Sequence, residues 1–467
     1  MHPTHPDRLD HTASSGRPAR RQRTPHAGRR VRQAAAAATV ALALLTAAAP
    51  AASAATAPAA DSATSGTFTA GLERKALDAS LRAVHDAGIY GVYAAARDGG
   101  ARWNGAAGFA DVVTQRPTRP DLRHRVGSVT KSFTAVAVLQ QSAKGRIGLD
   151  RPIGDYLPEL VPGERGRKIT VRMVMNHTSG IADYIGEAFP SLKAGSTSSL
   201  DDERHRTITP TELVNLGVAL PQSFEPGTDW AYSNTNYILL GELLRKVTGQ
   251  DPEQVITRDV IRRAGLRDTY FPGAAAKIKG PHAKMYDNWF GLIDPPRDYS
   301  EYNMTWAGTA GALISTTQDL NSFYRQLLGG GLLPAAQLRE MRTTWPVKAP
   351  DGTVVMNYGL GILSVDTSCG PAWGHNGAVF GAGTESYASA DGRRQVSIGY
   401  NLMKYQRFDD QGKLIPHPGD AALQKLTDQA LCGTAAPAPA PAPAPEKPKV
   451  PLTAPQIAPE LIDGLRR

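Results

Sequence analysis

The sequence predicts an α/β (α+β) fold in which strands from both ends of one domain form a single antiparallel sheet. Strand-like hairpins occupy both ends of the central segment, helical periodicity dominates between them, and no internal repeat divides the segment. A sheet and its helices must bury their apolar faces against each other. We therefore expect helices flanking the sheet, together with a second lobe that is mostly helical.

The first 54 residues have the pattern of an export signal. Eight arginines precede an alanine-rich run that ends at Ala52-Ser53-Ala54, a small-x-small cleavage pattern. We expect a cut after Ala54 and a secreted, extracytoplasmic protein. The alternative is a retained membrane anchor, which is disfavoured because the run is weakly apolar and is broken by Pro50. Both the general secretory route and the twin-arginine route remain open.

The leader also accounts for most of the basic charge. The chain carries +9, and the eight arginines and two aspartates of residues 1–54 supply +6, which leaves +3 for residues 55–467. A mature chain so close to neutral gives no electrostatic reason to expect nucleic acid. We expect no cofactor and no metal, since two cysteines without histidines at ligand spacing do not predict zinc.

Composition sets the domain boundaries. Residues 55–66 are small and polar and predict a disordered linker, whereas residues 435–467 are a Pro/Ala-rich tail that cannot bury a core. The working domain is therefore 67–434. After export, Cys369 and Cys432 can oxidise to a disulfide, and two buried free thiols are the alternative.

Local patterns predict the elements of this domain in order. Period-3.6 spacing marks helices, and turn residues between alternating segments mark hairpins. The predicted elements are a helix over 71–88, two strands around Asp98-Gly99-Gly100, helices from Ser128 to about Gly265, a helix over 316–331, a hairpin around Ala390-Asp391-Gly392 and a last helix that ends at Cys432.

Ser128 and Lys131 are the first candidate catalytic pair. Three residues apart on a helix, they project from nearly the same face, as required if an amine is to take the serine proton. A lysine acts as a base only when burial or a nearby positive charge lowers its pKa, and the apolar run after Lys131 favours burial. Alone, S-x-x-K is expected by chance in a chain of this length, and an ordinary helix start is the alternative.

Two further motifs carry polar residues suited to the same chemistry. Tyr232 and Asn234 lie between a Pro-Gly turn and an amphipathic helix, where a tyrosine could relay a proton and an amide could hold a substrate. A half-buried tyrosine with capping residues is the local alternative. His375 and Gly377 lie on a glycine-rich strand, where a ligand backbone could approach closely, or where the histidine is incidental.

In order and spacing, these motifs resemble those of the penicillin-recognising serine hydrolases, which include D-alanyl-D-alanine peptidases, class C β-lactamases and related esterases. The resemblance covers nearly all of 67–434 and includes His177-Thr178-Ser179-Gly180, a structural turn typical of the group. It is strongest to secreted D-alanyl-D-alanine carboxypeptidases, which share Y-S-N-T-N, a histidine in the third motif and the cysteine pair. The resemblance implies a β-lactamase/transpeptidase-like fold.

The resemblance also implies a role for each matching residue. Ser128 would be the acylated nucleophile and Lys131 its base partner. Tyr232 would protonate the leaving amine and activate the deacylating water, while Asn234 would hold the substrate amide. His375 would replace the lysine of many relatives and support Tyr232 electrostatically.

The same resemblance implies a substrate-binding set. The backbone N–H groups of Ser128 and Ala378 would form the oxyanion hole. The remaining positions carried over are Asn376 and Gly377 beside it, and Phe189 and Trp306 as the lining of the cleft. For the two aromatic residues, ordinary core packing is the alternative.

The third motif departs from that of the carboxypeptidases, which read H-T-G-T where this chain reads His375-Asn376-Gly377-Ala378. Both hydroxyls that would grip a terminal carboxylate are absent, and the strand before Cys369 lacks the arginine that those relatives place there. Losing a charged clamp and two hydroxyls weakens carboxylate binding. The catalytic positions match the family, and the specificity positions do not.

Several functions therefore remain open. The first is a D-alanyl-D-alanine carboxypeptidase or transpeptidase that acts on peptidoglycan stem peptides and is acylated by β-lactams. The second is an esterase, a D-amino-acid amidase or an aminopeptidase acting on small esters or amides. A β-lactamase is disfavoured by the third-motif histidine. The alternative that is not an enzyme is a catalytically silent binding or sensor protein. An α/β-hydrolase would need G-x-S-x-G, which is absent. We expect a monomer.

Overall fold

The computed structural model describes residues 71–349, 352–409 and 414–433. The predicted signal (1–54), the linker (55–66) and the tail (435–467) lie outside the described residues. Within the described ranges, no helix has both the length and the apolar character that a membrane crossing requires.

The helices follow the order expected from the sequence, with most of them between the two groups of strands. They are α1 (Arg74–Asp86), α2 (Thr130–Ala143), α3 (Gly163–Lys168), α4 (Val171–Met175), α5 (Ile185–Ala188), α6 (Ser198–Asp202), α7 (Pro210–Ala219), α8 (Asn234–Thr248), α9 (Pro252–Ile256), α10 (Gly308–Gly311), α11 (Thr317–Leu328), α12 (Ala335–Met341) and α13 (Pro418–Cys432). A single 3₁₀ turn, Gly127–Val129, leads into α2.

The strands fall into an N-terminal group, a C-terminal group and short pairs between them. They are β1 (Gly91–Asp98), β2 (Ala101–Asp111), β3 (Arg116–Pro117), β4 (His124–Arg125), β5 (Tyr286–Asp287), β6 (Arg297–Asp298), β7 (Ile314–Ser315), β8 (Trp345–Lys348), β9 (Val354–Tyr358), β10 (Leu363–Thr367), β11 (Gly370–Val379), β12 (Ala382–Ser389), β13 (Arg394–Tyr400), β14 (Leu402–Met403), β15 (Arg407–Phe408) and β16 (Leu414–Ile415).

The main sheet has nine strands in the order β3-β2-β1-β13-β12-β11-β10-β9-β8. Strand β1 pairs with β13 in antiparallel register from Val92 opposite Tyr400 to Asp98 opposite Arg394. Strands from the two ends of the domain thus meet at the centre of one antiparallel sheet. The predicted fold class is confirmed, and so are the two predicted hairpins, β1–β2 and β12–β13.

Helices cover both faces of this sheet. Helices α1 and α13 pack on one face and α11 on the other. Strand β1 is buried along almost its whole length, since apolar side chains on both faces meet these layers. On the α11 side, the Asn321 amide donates to the Ala95 carbonyl and accepts from the Ser397 hydroxyl, which ties the helix to both central strands.

Helix α2 lies at the centre of the helical lobe. Twelve of its fourteen residues are buried, so it is surrounded on all sides and has no polar outer face. Its one charged residue is Lys131, whose exposed fraction is 0%. A buried ammonium needs polar partners or a lowered pKa. The burial of α2 therefore predicts that Lys131 has one or both.

Cys369 and Cys432 are joined in the structure, with 1.99 Å between their sulfur atoms. Cys369 lies in the turn between β10 and β11, and Cys432 is the last residue of α13. The bond therefore connects the C-terminal helix to the hairpin that carries the third motif.

Candidate active site

Ser128 lies on the 3₁₀ turn that begins α2, at the boundary between the sheet and the helical lobe. The turn is held by a hydrogen bond from the Val126 backbone N–H to the Leu313 carbonyl. Ser128 is half-buried, whereas both of its neighbours in the turn are buried. Ser128 is therefore the partly exposed residue of a turn whose other two residues are buried.

The nucleophile turn is in direct contact with β11. A Cβ on Gly377 would lie 2.0 Å from the Val126 carbonyl oxygen and 3.1 Å from the Ser128 nitrogen. A Cβ on Gly127 would lie 2.8 Å from the Ala378 nitrogen, and Gly127 also has a positive φ of 54°. Only glycine fits at either position. This close approach brings together the two backbone N–H groups, of Ser128 and Ala378, that the resemblance assigns to an oxyanion hole.

Lys131 is held by three hydrogen bonds inside the protein. Its Nζ lies 3.1 Å from the Ser128 Oγ, 2.7 Å from the Asn234 Oδ1 and 2.8 Å from the Ala310 carbonyl oxygen. Burial lowers the pKa of Lys131 to about 7, with the negative charge of Asp183 opposing that shift. The amine is therefore substantially neutral near neutral pH.

The three partners dictate how a neutral Lys131 is oriented. A neutral amine has two N–H bonds and one lone pair, and the carbonyl oxygens of Asn234 and Ala310 can only accept. The two N–H bonds therefore point at those oxygens, and the lone pair points at the Ser128 hydroxyl. In this arrangement Lys131 can remove the serine proton as Ser128 attacks a carbonyl group.

Tyr232 lies over Lys131, with Nζ 4.8 Å from the centre of the tyrosine ring. The ring is partly exposed, but its hydroxyl is shielded from solvent and makes no hydrogen bond of standard geometry with a described residue. Burial raises the pKa of Tyr232 well above its ordinary value, and an interaction with the Ser128 hydroxyl opposes the rise. Tyr232 is therefore a neutral phenol beside the candidate nucleophile and keeps its proton near neutral pH.

His375 is placed differently from the role that the resemblance implied. Its Nδ1 lies 2.5 Å from the Asn376 carbonyl oxygen, so Nδ1 carries the proton and Nε2 accepts from the Tyr358 hydroxyl at 3.0 Å. Burial lowers the pKa of His375 to about 3. The ring is thus neutral, and its centre is 6.5 Å from that of Tyr232. His375 does not supply the positive charge that a lysine would place there.

Phe189 and Trp306 are buried, with exposed fractions of 1% and 6%. Their ring centres are 5.4 Å apart, and Phe380 packs against both, at 5.4 Å from Phe189 and 4.8 Å from Trp306. The three rings form one buried aromatic cluster, so Phe189 and Trp306 fit the alternative of core aromatics.

A cavity of about 270 Å³ opens beside Tyr232. Its polar lining includes Asp183, Glu187, Lys193 and Ser223. Glu187 and Lys193 form an ion pair across it. The cavity is slightly smaller than typical small-molecule sites and reaches the catalytic residues through Tyr232 and Asp183 of its lining, so it is a candidate substrate pocket.

Sequence reasoning missed two residues of the site. Asp183 accepts hydrogen bonds from Asn234, and Tyr358 donates to His375. Asp183 lies three residues after the turn His177-Thr178-Ser179-Gly180, and only that turn was interpreted from the sequence. Tyr358 precedes Gly359 and Gly361, two tightly packed glycines that mark a close backbone approach and could have drawn attention to it.

The predicted turn at His177 joins the motifs together. His177 has a φ of 66°, and its Nδ1 accepts from the Ser233 backbone N–H at 3.2 Å. Ser179 donates to the Asn236 side chain at 2.8 Å. The turn therefore fixes the start of α8, which carries Asn234, in agreement with the structural role expected for it.

A serine whose proton can pass to a buried neutral lysine, at the boundary between an antiparallel sheet and a helical lobe, defines the class of protein: a serine hydrolase. The family model described as "Beta-lactamase" matches residues 67–414. The chain thus belongs to the beta-lactamase family, within the penicillin-recognising serine hydrolases.

Similar proteins span several activities of this family. Penicillin-binding protein 4* of Bacillus subtilis is 24% identical over 322 residues, which are 66% of each chain. Esterase EstB of Burkholderia gladioli is 31% identical over 44% of this chain and 54% of its own. The chain thus spans about half to two thirds of the length of these curated relatives.

Solved structures show the same fold. A D-stereospecific amidohydrolase from Streptomyces sp. has a TM-score of 0.68 and 37% identity, covering 78% of this chain and all of that one. The D-amino acid amidase of Ochrobactrum anthropi SV3, in complex with L-phenylalanine amide, has a TM-score of 0.60 and 23% identity over 70% of this chain and 91% of its own. At 23% identity, the similarity to the D-amino acid amidase shows the fold alone.

Proposed function

We propose that this protein hydrolyses the amide or ester bond of a D-amino acid whose α-amino group is free. The charge of the cavity beside Tyr232 carries the proposal. Its lining contains Asp183 and Glu187, and Lys193 is the one basic residue of that lining within the described part of the chain. Because Lys193 is already paired with Glu187, the lining keeps a net negative charge that favours an ammonium over a carboxylate.

The third motif supports the same choice of substrate. Neither Asn376 nor Ala378 has a hydroxyl, and β10, from Leu363 to Thr367, contains no basic residue. A terminal carboxylate would find no charged partner at the positions where carboxypeptidases of this family bind it. The 37% identity to a D-stereospecific amidohydrolase supports the D configuration.

The geometry supports a two-step reaction. Ser128 Oγ attacks the substrate carbonyl carbon while its proton passes to Lys131, and the N–H groups of Ser128 and Ala378 stabilise the oxyanion. The proton then passes, through Lys131 or Tyr232, to the leaving amine or alcohol, and an ester to Ser128 remains. Water attacks this ester, and the released carboxylic acid leaves Ser128 with its proton restored.

The test compares substrates that differ in one group. We expect hydrolysis of a D-amino acid p-nitroanilide, with kcat/KM reduced about 10- to 100-fold when its amino group is acetylated, because a charge-assisted contact is lost. The L enantiomer should react more slowly. Glu187→Gln removes one negative charge from the lining, so it should raise KM for the free amine and leave the acetylated substrate, which serves as the control, unaffected. Equal rates for the free and the acetylated amine would contradict the proposal.

The carboxypeptidase alternative is tested with a peptide ending in D-Ala-D-Ala and its C-terminal amide. We expect no advantage for the free carboxylate. A clear preference for the free carboxylate, with slow release of a fluorescent penicillin from Ser128, would identify a D-alanyl-D-alanine carboxypeptidase. Rapid turnover of the penicillin would identify a β-lactamase instead.

We also propose that the protein is exported and cut after Ala54. The support is the arginine-rich leader and its small-x-small site, together with a Cys369–Cys432 pair of the kind that persists in oxidising compartments. Expression with the native leader should yield extracellular protein whose first residue is Ala55. Full-length protein retained in the cell membrane would instead identify an uncleaved anchor.

A further inference from the structure

The Asp183 carboxylate is buried directly behind the catalytic pair, with an exposed fraction of 7%. Its Oδ2 accepts from the Asn234 backbone N–H at 2.9 Å and from the Asn234 Nδ2 at 2.7 Å. Its Oδ1 accepts from the Ile185 N–H at 2.9 Å. The carboxylate therefore grips both the main chain and the side chain of the first residue of α8.

This grip decides which way the Asn234 amide faces. A carboxylate can only accept, so the Asn234 NH₂ group must point at Asp183 and its carbonyl oxygen must point away, toward Lys131. A reversed amide would place two donors, Nδ2 and Lys131 Nζ, against each other. The lone pair of a neutral Lys131 is directed at Ser128 only while this carbonyl oxygen takes one of the lysine N–H bonds.

Asp183 also performs the capping that the sequence of α8 does not provide. The N-cap residue, Ser233, makes no side-chain hydrogen bond to the helix and instead donates to the Ala182 carbonyl. The Asp183 carboxylate replaces it at the N-terminus of a 15-residue helix, where negative charge is favoured. The position of Asn234 thus depends on a residue 51 positions earlier in the chain.

Asp183 is also the anion that acts on Lys131. Among the described residues, the other titratable side chains near the lysine are His177, Tyr232, Tyr237 and His375, with Tyr358 packed against them. Burial lowers the pKa of both histidines far below neutrality and raises the pKa of the three tyrosines, so all five are uncharged near pH 7. Burial raises the pKa of Asp183 as well, and three N–H donors oppose that rise by stabilising its ionised form.

We propose that Asp183 is a positioning residue of the active site, which orients the Asn234 amide and thereby directs Lys131 at Ser128. This inference depends on the acyl-enzyme reaction of the proposed function but not on the identity of the substrate. It would hold equally for an amidase, an esterase or a carboxypeptidase.

The test replaces the carboxylate by an amide of the same shape. In Asp183→Asn, the Lys131 ammonium loses its anion, so we expect its titration, followed by NMR of ¹³C-labelled lysine, to move about one unit below the wild-type value near 7. The Lys131→Met variant assigns the signal. The rate of the nitrophenolate burst with a p-nitrophenyl ester should also fall about 10- to 100-fold, because the lysine is no longer directed at Ser128.

The matched control is Asp251→Asn, which changes another aspartate that caps a helix of the same lobe. It should leave both the Lys131 titration and the burst at wild-type values. A folded Asp183→Asn enzyme with an unchanged titration and burst would overturn the proposal. The titration requires no substrate, so a wild-type enzyme that ignores the ester would count against the proposed function and leave the assignment of Asp183 to be judged by NMR.

If Asp183→Asn does not fold, Asp183→Glu provides the decision. It keeps the charge but lengthens the side chain, so Lys131 should titrate close to its wild-type value while the burst falls at least about tenfold through displacement of Asn234. If Asp183 had a purely structural role, Asp183→Glu would lower stability but would not lower the burst rate while leaving the Lys131 titration unchanged. A Glu variant with the wild-type burst rate would overturn the proposal.

Discussion

Replacing Lys131 with methionine is expected to lower kcat/KM by about 10⁴-fold, because the side chain keeps its volume in the core of α2 but can no longer accept the Ser128 proton. The pH profile of the wild-type enzyme should have an acidic limb, in which kcat/KM rises tenfold per pH unit and levels off near pH 7. The reason is that the pKa of Lys131 is lowered to about 7 and only the neutral amine is a base. The residual activity of the variant should lack this limb. Steady-state kinetics between pH 5 and 9 measure both effects.

A limb near pH 7 is usually assigned to histidine, so a control is needed. Burial lowers the pKa of His375 to about 3 and that of His177 well below its ordinary value, which makes both neutral across the range. His375→Gln should therefore lower the rate without moving the limb, and Ser128→Ala provides the inactive baseline. If the limb disappears in His375→Gln, Lys131 is not the titrating base.

Substituting alanine for Gly377 is expected to lower kcat by about 10²- to 10³-fold, the usual cost of losing one oxyanion donor. The added methyl group would lie 2.0 Å from the Val126 carbonyl oxygen, so β11 and the nucleophile turn must separate. That separation moves the Ala378 N–H away from the Ser128 N–H. We also expect a loss of about 1–3 kcal/mol in the free energy of unfolding, as for other overpacked sites.

The control is Gly100→Ala in the β1–β2 turn, where an added Cβ meets nothing within 4 Å. Its kcat and its free energy of unfolding should stay near the wild-type values. Chemical denaturation and burst kinetics of the two variants separate the effect on stability from that on the oxyanion hole. A Gly377→Ala enzyme with full kcat would show that these two backbone segments do not form the hole.

Much of the fold follows from local patterns. Helix α1 and the hairpins β1–β2 and β12–β13 are marked by apolar period and Asp-Gly turns, which depend on neighbours a few residues away. The pairing of Ser128 with Lys131 is equally local, since one helical turn places them together. For these elements the chain needs no distant partner to specify its geometry.

Other features of the site could not be predicted because they depend on contacts between distant parts of the chain. The Lys131 contact with Asn234 spans 103 residues, and the Asp183 contact with Asn234 spans 51. The sequence motifs include Lys131 and Asn234 but not Asp183. Asp183 becomes part of the site only when the loop before α5 packs against α8. Likewise, burial of Phe189 and Trp306 depends on Phe380, about 190 and 74 positions further along the chain.

The chemistry of the reaction and its selectivity thus have different origins. The motifs and their intervals along the chain resemble those of a known family, and that resemblance predicted a serine hydrolase with Ser128, Lys131 and Tyr232 at its centre. The neutral state of His375, the direction of the Lys131 lone pair and the acidic cavity beside Tyr232 emerged only from the folded chain. The physical reason is that protonation and hydrogen-bond direction are set by burial and by partners in space, and neither can be read from residue order.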